Sequence, residues 1–96
     1  MNMSAIRIFK SLSDPTRIKI LLLLQKKKEE TCQNLMKAFA LTQPAMSRHF
    51  NKMVDGGVLV GRREGAFWFY SINRDYLRKT GIDIDKLLDN FKKEIN

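Results

Sequence analysis

Residues 41–54, LTQPAMSRHFNKMV, predict a helix with one face turned toward a protein interior and one face turned outward. Thr42 suits the N-cap position, because its hydroxyl can accept from backbone N–H groups that the first turn leaves unpaired. Pro44 suits the first turn, where its missing N–H costs nothing and its fixed φ matches a helix. Gly56 and Gly57 follow directly and predict the end of the helix.

The two faces of this predicted helix differ in chemistry. Four apolar residues at helical spacing form the inward stripe: Met46, Phe50, Met53 and Val54. The outward residues carry donors and acceptors that can contact base edges and phosphates, and they are Gln43, Ser47, Arg48, Asn51 and Lys52. An ordinary surface helix shows the same division, so this stretch alone leaves both readings open.

The composition of the chain favours a polyanionic partner. Its 96 residues suit one domain, residues 1–96, and 18 Lys and Arg against 10 Asp and Glu give a formal net charge of +8. Such a balance favours nucleic acid first and an anionic membrane surface second. The longest apolar run, Ile20 to Leu24, is far too short to cross a bilayer, so we expect a cytoplasmic protein without membrane association. The single cysteine, Cys32, fits a reducing compartment.

The residues before the outward-facing helix predict three further helices. Residues 3–12 have apolar residues at helical spacing, and Asp14 followed by Pro15 is a strong signal for the start of a second helix. That helix is apolar over most of its circumference, which places it in the centre of a domain. Thr31 can cap a short third helix, so that residues 31–55 form two helices joined by a tight turn. This arrangement is typical of a helix-turn-helix.

Residues 58–72 change from helical to strand-forming patterns and predict a β-hairpin. Gly65 suits a turn position with φ > 0, in a three-residue loop with a bulge. A two-residue loop would force Glu64 into φ > 0, which is disfavoured. A hairpin directly after a helix-turn-helix is typical of a wing, here with Arg62 and Arg63 at its tip. The predicted fold class is therefore mostly α with a small β-hairpin (α+β), a winged helix-turn-helix.

The terminal segments, residues 1–12 and 74–96, predict a dimer contact. The last helix carries an apolar stripe that must be buried somewhere. Part of it can cover the chain's own core, but a second copy of the chain is the expected partner. The predicted interface comprises Ile6, Phe9, Ile84, Leu87, Leu88 and Phe91.

Three segments of the chain resemble the ArsR/SmtB family of bacterial and archaeal repressors. Residues 9–17, FKSLSDPTR, with the apolar run after them, resemble the opening of that family. Residues 41–50 look like its recognition helix, and residues 57–70 look like its wing. The resemblance covers roughly residues 5–73. It implies a homodimeric winged-helix regulator whose two recognition helices enter successive major grooves of an inverted repeat.

The resemblance also implies roles for individual residues. It assigns base or groove contacts to Gln43, Ser47, Arg48 and His49, with Arg62 and Arg63 at the minor groove or the phosphates. Helical projection agrees for the first three but places His49 at the edge of the buried stripe. The complete set of predicted DNA-binding residues is Gln43, Pro44, Ser47, Arg48, His49, Asn51, Lys52, Arg62 and Arg63.

The sequence departs from the family at the positions where many members bind a metal or arsenic ion. The resemblance implies a pair of cysteines in the third helix, whereas this chain has Cys32 alone, and His49 is its only histidine. Tight zinc binding needs about four ligands, and thiolate sites need several sulfurs. We therefore expect no metal site and no cofactor, and the sequence identifies no effector.

The leading hypothesis is a sequence-specific double-stranded DNA-binding transcriptional repressor that acts as a homodimer on an inverted-repeat operator. One alternative is a non-specific, chromatin-like DNA-packing protein, which the high net charge also fits. Another is a winged-helix protein-interaction module, although the basic character of the outward face disfavours it. An enzyme fits least, because the sequence has neither a Gly-rich phosphate loop nor a second histidine to partner Cys32 or a serine.

Overall fold

A computed structural model describes residues 3–95 of the chain and the side-chain burial of residues 4–94; residues 1, 2 and 96, which the predicted terminal segments include, lie outside it. The fold is the predicted winged helix-turn-helix, mostly helical with one small antiparallel sheet. Its elements in chain order are α1 (Met3–Leu12), α2 (Pro15–Lys27), β1 (Glu29–Thr31), α3 (Cys32–Phe39), α4 (Gln43–Asp55), β2 (Leu59–Glu64), β3 (Phe67–Ile72), α5 (Arg74–Lys79) and α6 (Ile84–Ile95).

The starts of α2, α3 and α4 are capped by the residues that the sequence predicts. The Asp14 carboxylate accepts from the backbone N–H of Arg17 at 3.1 Å, and Pro15 occupies the first turn. The hydroxyls of Thr31 and Thr42 accept from backbone N–H groups three residues further on, at 3.2 and 3.3 Å. Because each cap satisfies a donor that the helix itself leaves unpaired, these three boundaries are set locally.

The sheet has three strands in the order β1-β3-β2, and its first strand was not predicted from the sequence. Strand β1 pairs with β3 in the antiparallel sense, with Glu29 opposite Ser71 and Thr31 opposite Phe69. A strand of three residues is too short to give a periodic signal, so its existence depends on its partner. It lies between the end of α2 and the start of α3.

The hairpin turn differs from the prediction. Glu64 pairs with Phe67, which leaves a two-residue loop of Gly65 and Ala66 in place of the predicted three-residue loop. Gly65 has φ = 62°, as predicted, while Ala66 keeps a negative φ. In this register Glu64 belongs to the last strand pair and not to the loop. Of the two loop residues, only Gly65 has a positive φ.

Helix α2 lies at the centre of the core, as its apolar circumference predicts. Its residues Ile18, Ile20, Leu21 and Leu24 are buried. The inward stripe of α4 is confirmed for three of its four members, since Met46, Phe50 and Met53 are buried. Val54 is 41 % exposed instead, because it lies at the edge of the stripe in the last turn of the helix.

The apolar stripe of α6 packs largely against the chain's own core. Ile84 and Leu88, predicted to contact a second copy, are buried in the chain's own core and offer no surface to a partner. They lie four residues apart on one face of α6, which packs against α2. The Gln25 side-chain amide also donates to Asp85 at 3.1 Å across this contact. Of the other predicted interface residues, Phe9 is exposed, and Ile6, Leu87 and Phe91 are half-buried.

Helices α1 and α4 approach each other closely where α4 ends. The buried Ser11 hydroxyl lies 2.9 Å from the carbonyl oxygen of Lys52 and can donate to it. A Cβ at Gly56 would lie 1.9 Å from the Ser11 Oγ, so only glycine fits at this position. This contact fixes the end of α4 against α1.

Ala40, in the turn between α3 and α4, adopts the left-handed conformation with φ = 51°. A side chain disfavours this conformation by about 1–2 kcal/mol, and glycine does not. We therefore expect Ala40→Gly to raise the free energy of unfolding in urea by about 0.5–1 kcal/mol, the gain being reduced by the greater freedom of glycine in the unfolded chain.

Ala38→Gly is the matched control, since Ala38 is exposed in the last turn of α3 and has an ordinary negative φ. It should lower the free energy of unfolding by about 0.5–1 kcal/mol. A similar loss in both variants would contradict the assigned strain at Ala40.

Candidate nucleic-acid interface

The outward face of α4 is polar and accessible along its whole length. Six of the predicted DNA-binding residues are exposed on this helix: Gln43, Pro44, Ser47, Arg48, Asn51 and Lys52. Thr42 caps the helix at the end where Gln43 and Pro44 begin it. The side chains are therefore presented on a helix whose start is fixed and whose opposite face is buried.

An aromatic stack joins α4 to the sheet. The ring of Phe50 lies 4.4 Å from the ring of Tyr70 on β3, centroid to centroid, with 20° between their planes. Because Phe50 is buried and Tyr70 is half-buried, this contact holds α4 against the central strand of the wing sheet. The helix and the wing therefore present their outer surfaces in one fixed relation.

His49 faces the protein and not the outward side of α4. Its side chain is 18 % exposed, and its Nδ1 lies 3.8 Å from the Asp14 carboxylate and 3.4 Å from Nη1 of Arg17. The base or groove contact that the resemblance assigned to His49 therefore does not match its orientation. Helical projection had placed it at the edge of the buried stripe, which agrees with the structure.

Arg17 connects three helices, a role that was not predicted from the sequence. Its Nε donates to the carbonyl of Ser11 at 2.8 Å, and its Nη2 donates to the carbonyl of Lys10 at 3.2 Å. With its approach to His49, the guanidinium connects the end of α1, the start of α2 and the middle of α4. The available signal was its place one turn after the Asp14 cap, where the side chain can turn back toward the preceding helix.

Arg62 is held within the sheet. It donates to both carboxylate oxygens of Glu29, at 2.8 and 2.7 Å, and to Glu64 at 2.7 Å. Its guanidinium also lies 4.5 Å from the ring centroid of Phe69. These hydrogen bonds raise the pKa of Arg62 and hold the pKa of Glu29 below its ordinary value. The predicted phosphate contact of Arg62 therefore competes with two carboxylates, one of them on the strand that the sequence did not predict.

Arg63 is the wing arginine with a free charge. It is exposed, and its Nε donates to the carbonyl of Gly65 at the turn, at 3.2 Å. Within residues 3–95 it forms no ion pair, in contrast to its neighbour Arg62. Of the two predicted wing contacts, Arg63 alone is available to a phosphate without breaking an ion pair.

A basic groove extends the outward face of α4 toward α1. It has a volume of about 550 Å³ and is lined by Arg7, Lys10, Ser11, Lys52, Asp55 and Gly56. Three cations surround one carboxylate in this groove, and the three are exposed. The positive surface therefore continues beyond the helix that carries the predicted base contacts.

The donor groups of the chain do not fit the thiolate metal sites that the family pattern implies. Cys32 lies half-buried at the start of α3, and burial raises the pKa of its thiol, which disfavours the thiolate that binds metals. Among the described residues, no three His, Cys, Asp or Glu side chains lie close enough together to hold a metal ion. None of the described helices is both long and apolar enough to span a membrane.

Comparison with known proteins assigns the chain to a family. A family model described as a helix-turn-helix domain matches residues 12–62. The chain is 38 % identical over 71 residues to the transcriptional repressor SdpR of Bacillus subtilis, covering 74 % of this chain and 78 % of that protein. It is 33 % identical over 78 residues to the arsenical resistance operon repressor of Staphylococcus xylosus, covering 81 % and 74 %. The chain belongs to the ArsR/SmtB family of winged helix-turn-helix transcriptional regulators.

A solved structure supports the fold over almost the whole chain. The homodimeric winged helix-turn-helix domain of a possible ArsR-family regulator from Mycobacterium bovis is 23 % identical, with a TM-score of 0.74, covering 96 % of this chain and 78 % of that one. Some relatives are longer, and this chain spans 52 % of an arsenic resistance regulator of Pseudomonas putida. The ArsR/SmtB assignment makes this chain a helix-turn-helix protein of a DNA-binding, regulatory family.

The ion pair of Arg62 with Glu29 predicts a pH-dependent stability. Because the pKa of Glu29 is lowered in the fold, the pair stabilises the folded chain above the carboxyl's unfolded pKa near 4.5 and is lost as the pH falls through the folded pKa. We expect Arg62→Met to lower the melting temperature near pH 7, and to lower it less at an acidic pH below the folded pKa of Glu29.

Thermal melts followed by circular dichroism at both pH values measure this effect. Arg63→Met is the matched control, and it should change the melting temperature equally at the two pH values. An equal loss for Arg62→Met at both pH values would show that its packing on Phe69 matters and its ion pairs do not.

Proposed function

We propose that this ArsR/SmtB-family protein is a sequence-specific repressor that binds double-stranded DNA as a homodimer at an inverted-repeat operator. The observation that carries the proposal is the accessible polar face of α4, fixed beside a wing with a free arginine. Exposed donors on a helix of this kind suit the major groove, which is wide enough to admit an α-helix. The net charge of +8 favours the same partner.

The first turns of α4 are the part that we expect to read bases. Gln43, Ser47 and Arg48 lie in the N-terminal half of the helix, which contacts base edges in helix-turn-helix proteins. A glutamine can pair with an adenine edge at two atoms, and an arginine can do the same with guanine or bind a phosphate. Asn51 and Lys52 lie further along the helix and suit phosphate contacts.

Phe9 supports the proposed homodimer. It is 61 % exposed on α1, the largest exposure among the large apolar side chains of the described chain. A second copy would cover it, together with the half-buried Ile6, Leu87 and Phe91. The M. bovis domain with the same fold is a homodimer. A two-fold axis between copies would present two α4 helices to half-sites about one turn of DNA, roughly 34–36 Å, apart.

Phe9→Asp tests the homodimer. We expect this variant to weaken dimerisation at least tenfold, because burying a phenylalanine contributes about 1.5–3 kcal/mol and about 1.4 kcal/mol is a factor of ten. Sedimentation velocity over a range of protein concentrations measures the change. Phe67→Asp is the matched control, since Phe67 is 52 % exposed on the wing and should leave the dimer intact. A Phe9→Asp protein with unchanged dimerisation would exclude this face as the interface.

Non-specific DNA packing is the second candidate function, and the basic groove between α1 and α4 favours it. The two functions differ in their specificity ratio. A sequence-specific regulator binds its operator about 10³–10⁷ times more tightly than random DNA, whereas a packing protein does not. Competition between a selected sequence and random DNA at fixed salt decides between them. In either case we propose a cytoplasmic binding protein and not an enzyme.

The base contacts are tested on an operator recovered by selection from random DNA, which also reports symmetry and half-site spacing. We expect Gln43→Ala and Arg48→Ala each to cost about 1–3 kcal/mol on that operator and much less on random DNA. Lys86→Ala, an exposed position on α6, is the control and should bind the operator like the wild type. Equal losses on both DNAs would make Gln43 and Arg48 phosphate contacts.

A further inference from the structure

Arg63 and Trp68 form a pair on the wing face that packs against α4. They are opposite each other in the hairpin. Every second pair of a hairpin lies on the same face, so the next pairs on this face, going away from the turn, are Gly61 with Tyr70 and Leu59 with Ile72. Leu59 and Ile72 are buried, and Tyr70 stacks on Phe50 of α4. The Arg63–Trp68 pair therefore continues this face outward, one pair beyond Gly61 and the Tyr70 that stacks on α4.

The indole of Trp68 leans toward the body of the protein. A Cβ at Gly61 would lie 3.6 Å from Cε3 of Trp68 and 3.1 Å from Cε1 of Tyr70, so the two rings cover the space that a side chain at Gly61 would take. Trp68 nevertheless stays 46 % exposed. A large ring thus lies near Tyr70, which stacks on Phe50 of α4, and has nearly half of its surface open to a partner.

The opposite face of the wing is unsuited to an anionic partner. Arg62 lies on that face between Glu29 and Glu64, which leaves two carboxylates for one guanidinium. On the Arg63–Trp68 face, the arginine has no acidic partner within the described residues. Arg48 and Lys52 are exposed on the neighbouring helix and add to the positive charge. This charge distribution favours a polyanion over an apolar protein surface as the partner of Trp68.

We propose that Trp68 contacts DNA directly. Its indole packs against a deoxyribose of the strand that runs between α4 and the wing, and Arg63 binds a neighbouring phosphate. The inference rests on the proposed DNA binding and adds a residue and a type of contact to it. Trp68 can also donate its indole N–H to a phosphate oxygen, which suits a ring with one apolar and one polar edge.

The two residues of the pair contribute differently to salt dependence. A phosphate contact releases counterions, so each one adds roughly −0.9 to the slope of log K against log salt. An apolar contact with a sugar releases none. Removing Arg63 should therefore weaken binding and flatten the slope, whereas removing Trp68 should weaken binding at an unchanged slope.

The intrinsic fluorescence of the wild-type protein gives the first test, because Trp68 is the only tryptophan of the chain. The protein is titrated with the selected operator while the anisotropy of labelled DNA records binding. We expect the tryptophan emission to change in step with binding and acrylamide quenching to fall. Full binding with unchanged emission and quenching would overturn the inference.

Variants give the second test. Trp68→Ala should weaken operator binding about tenfold or more at an unchanged salt slope, and Arg63→Ala should flatten the slope by about one unit. Phe67→Ala is the control, because Phe67 is exposed on the opposite face and should not affect affinity. Circular dichroism establishes that each variant folds. If Trp68→Ala does not fold, the fluorescence of the wild-type protein decides the test.

The outcomes separate this inference from the proposed function. The inference would be overturned if the wild type bound DNA without a change in Trp68 emission and Trp68→Ala bound DNA with unchanged affinity. The proposed DNA binding would not be affected by that result. Emission that depends on protein concentration and not on DNA would show that Trp68 contacts a second copy, which also overturns it. Failure of the wild type to bind any DNA would overturn both.

Discussion

The stacking of Phe50 on Tyr70 connects the two parts of the molecule that face outward. Phe50 lies on the inner side of α4, and Tyr70 lies on the central strand of the sheet. Because β3 pairs with both β1 and β2, a single aromatic contact relates α4 to all three strands. This contact, together with the packing of α4 on β2, sets the relative position of the exposed residues of the helix and the tip of the wing.

A polar junction holds α4 from its other side. His49 lies against Asp14 and Arg17, and Arg17 in turn hydrogen-bonds to carbonyls at the end of α1. The end of α4 is fixed by the approach of Gly56 to Ser11. The helix is therefore held by apolar contacts toward the sheet and by hydrogen bonds toward α1 and α2. Helix α1 also carries the exposed Phe9, which we propose to contact a second copy. This surface is therefore connected to α4, the helix proposed to contact bases, through Ser11 and Arg17.

The features that could be predicted from the sequence are the helix starts and the buried helix faces, because residues close together along the chain determine them. Caps such as Asp14 and Thr42 act within one turn, and the helical period of Met46, Phe50 and Met53 requires only that one side be buried. Strand β1 could not be predicted, because three residues become a strand only beside β3. The ion pair of Arg62 could not be predicted either, because its partner Glu29 lies on β1. The stripe of α6 was visible in the sequence, but periodicity does not say whether Leu88 packs on the chain's own α2 or on another copy.

The ion pair of Arg62 and Glu29 has a consequence for the way the protein would meet DNA. It joins β2 to β1, and β1 leads directly into Thr31, the cap of α3. The wing is thereby tied to the first helix of the helix-turn-helix as well as to α4, and both connections restrict the distance between the wing tip and α4. A restricted distance favours DNA whose groove widths and helical twist match it. We expect base steps that touch no side chain to alter affinity through their effect on that geometry.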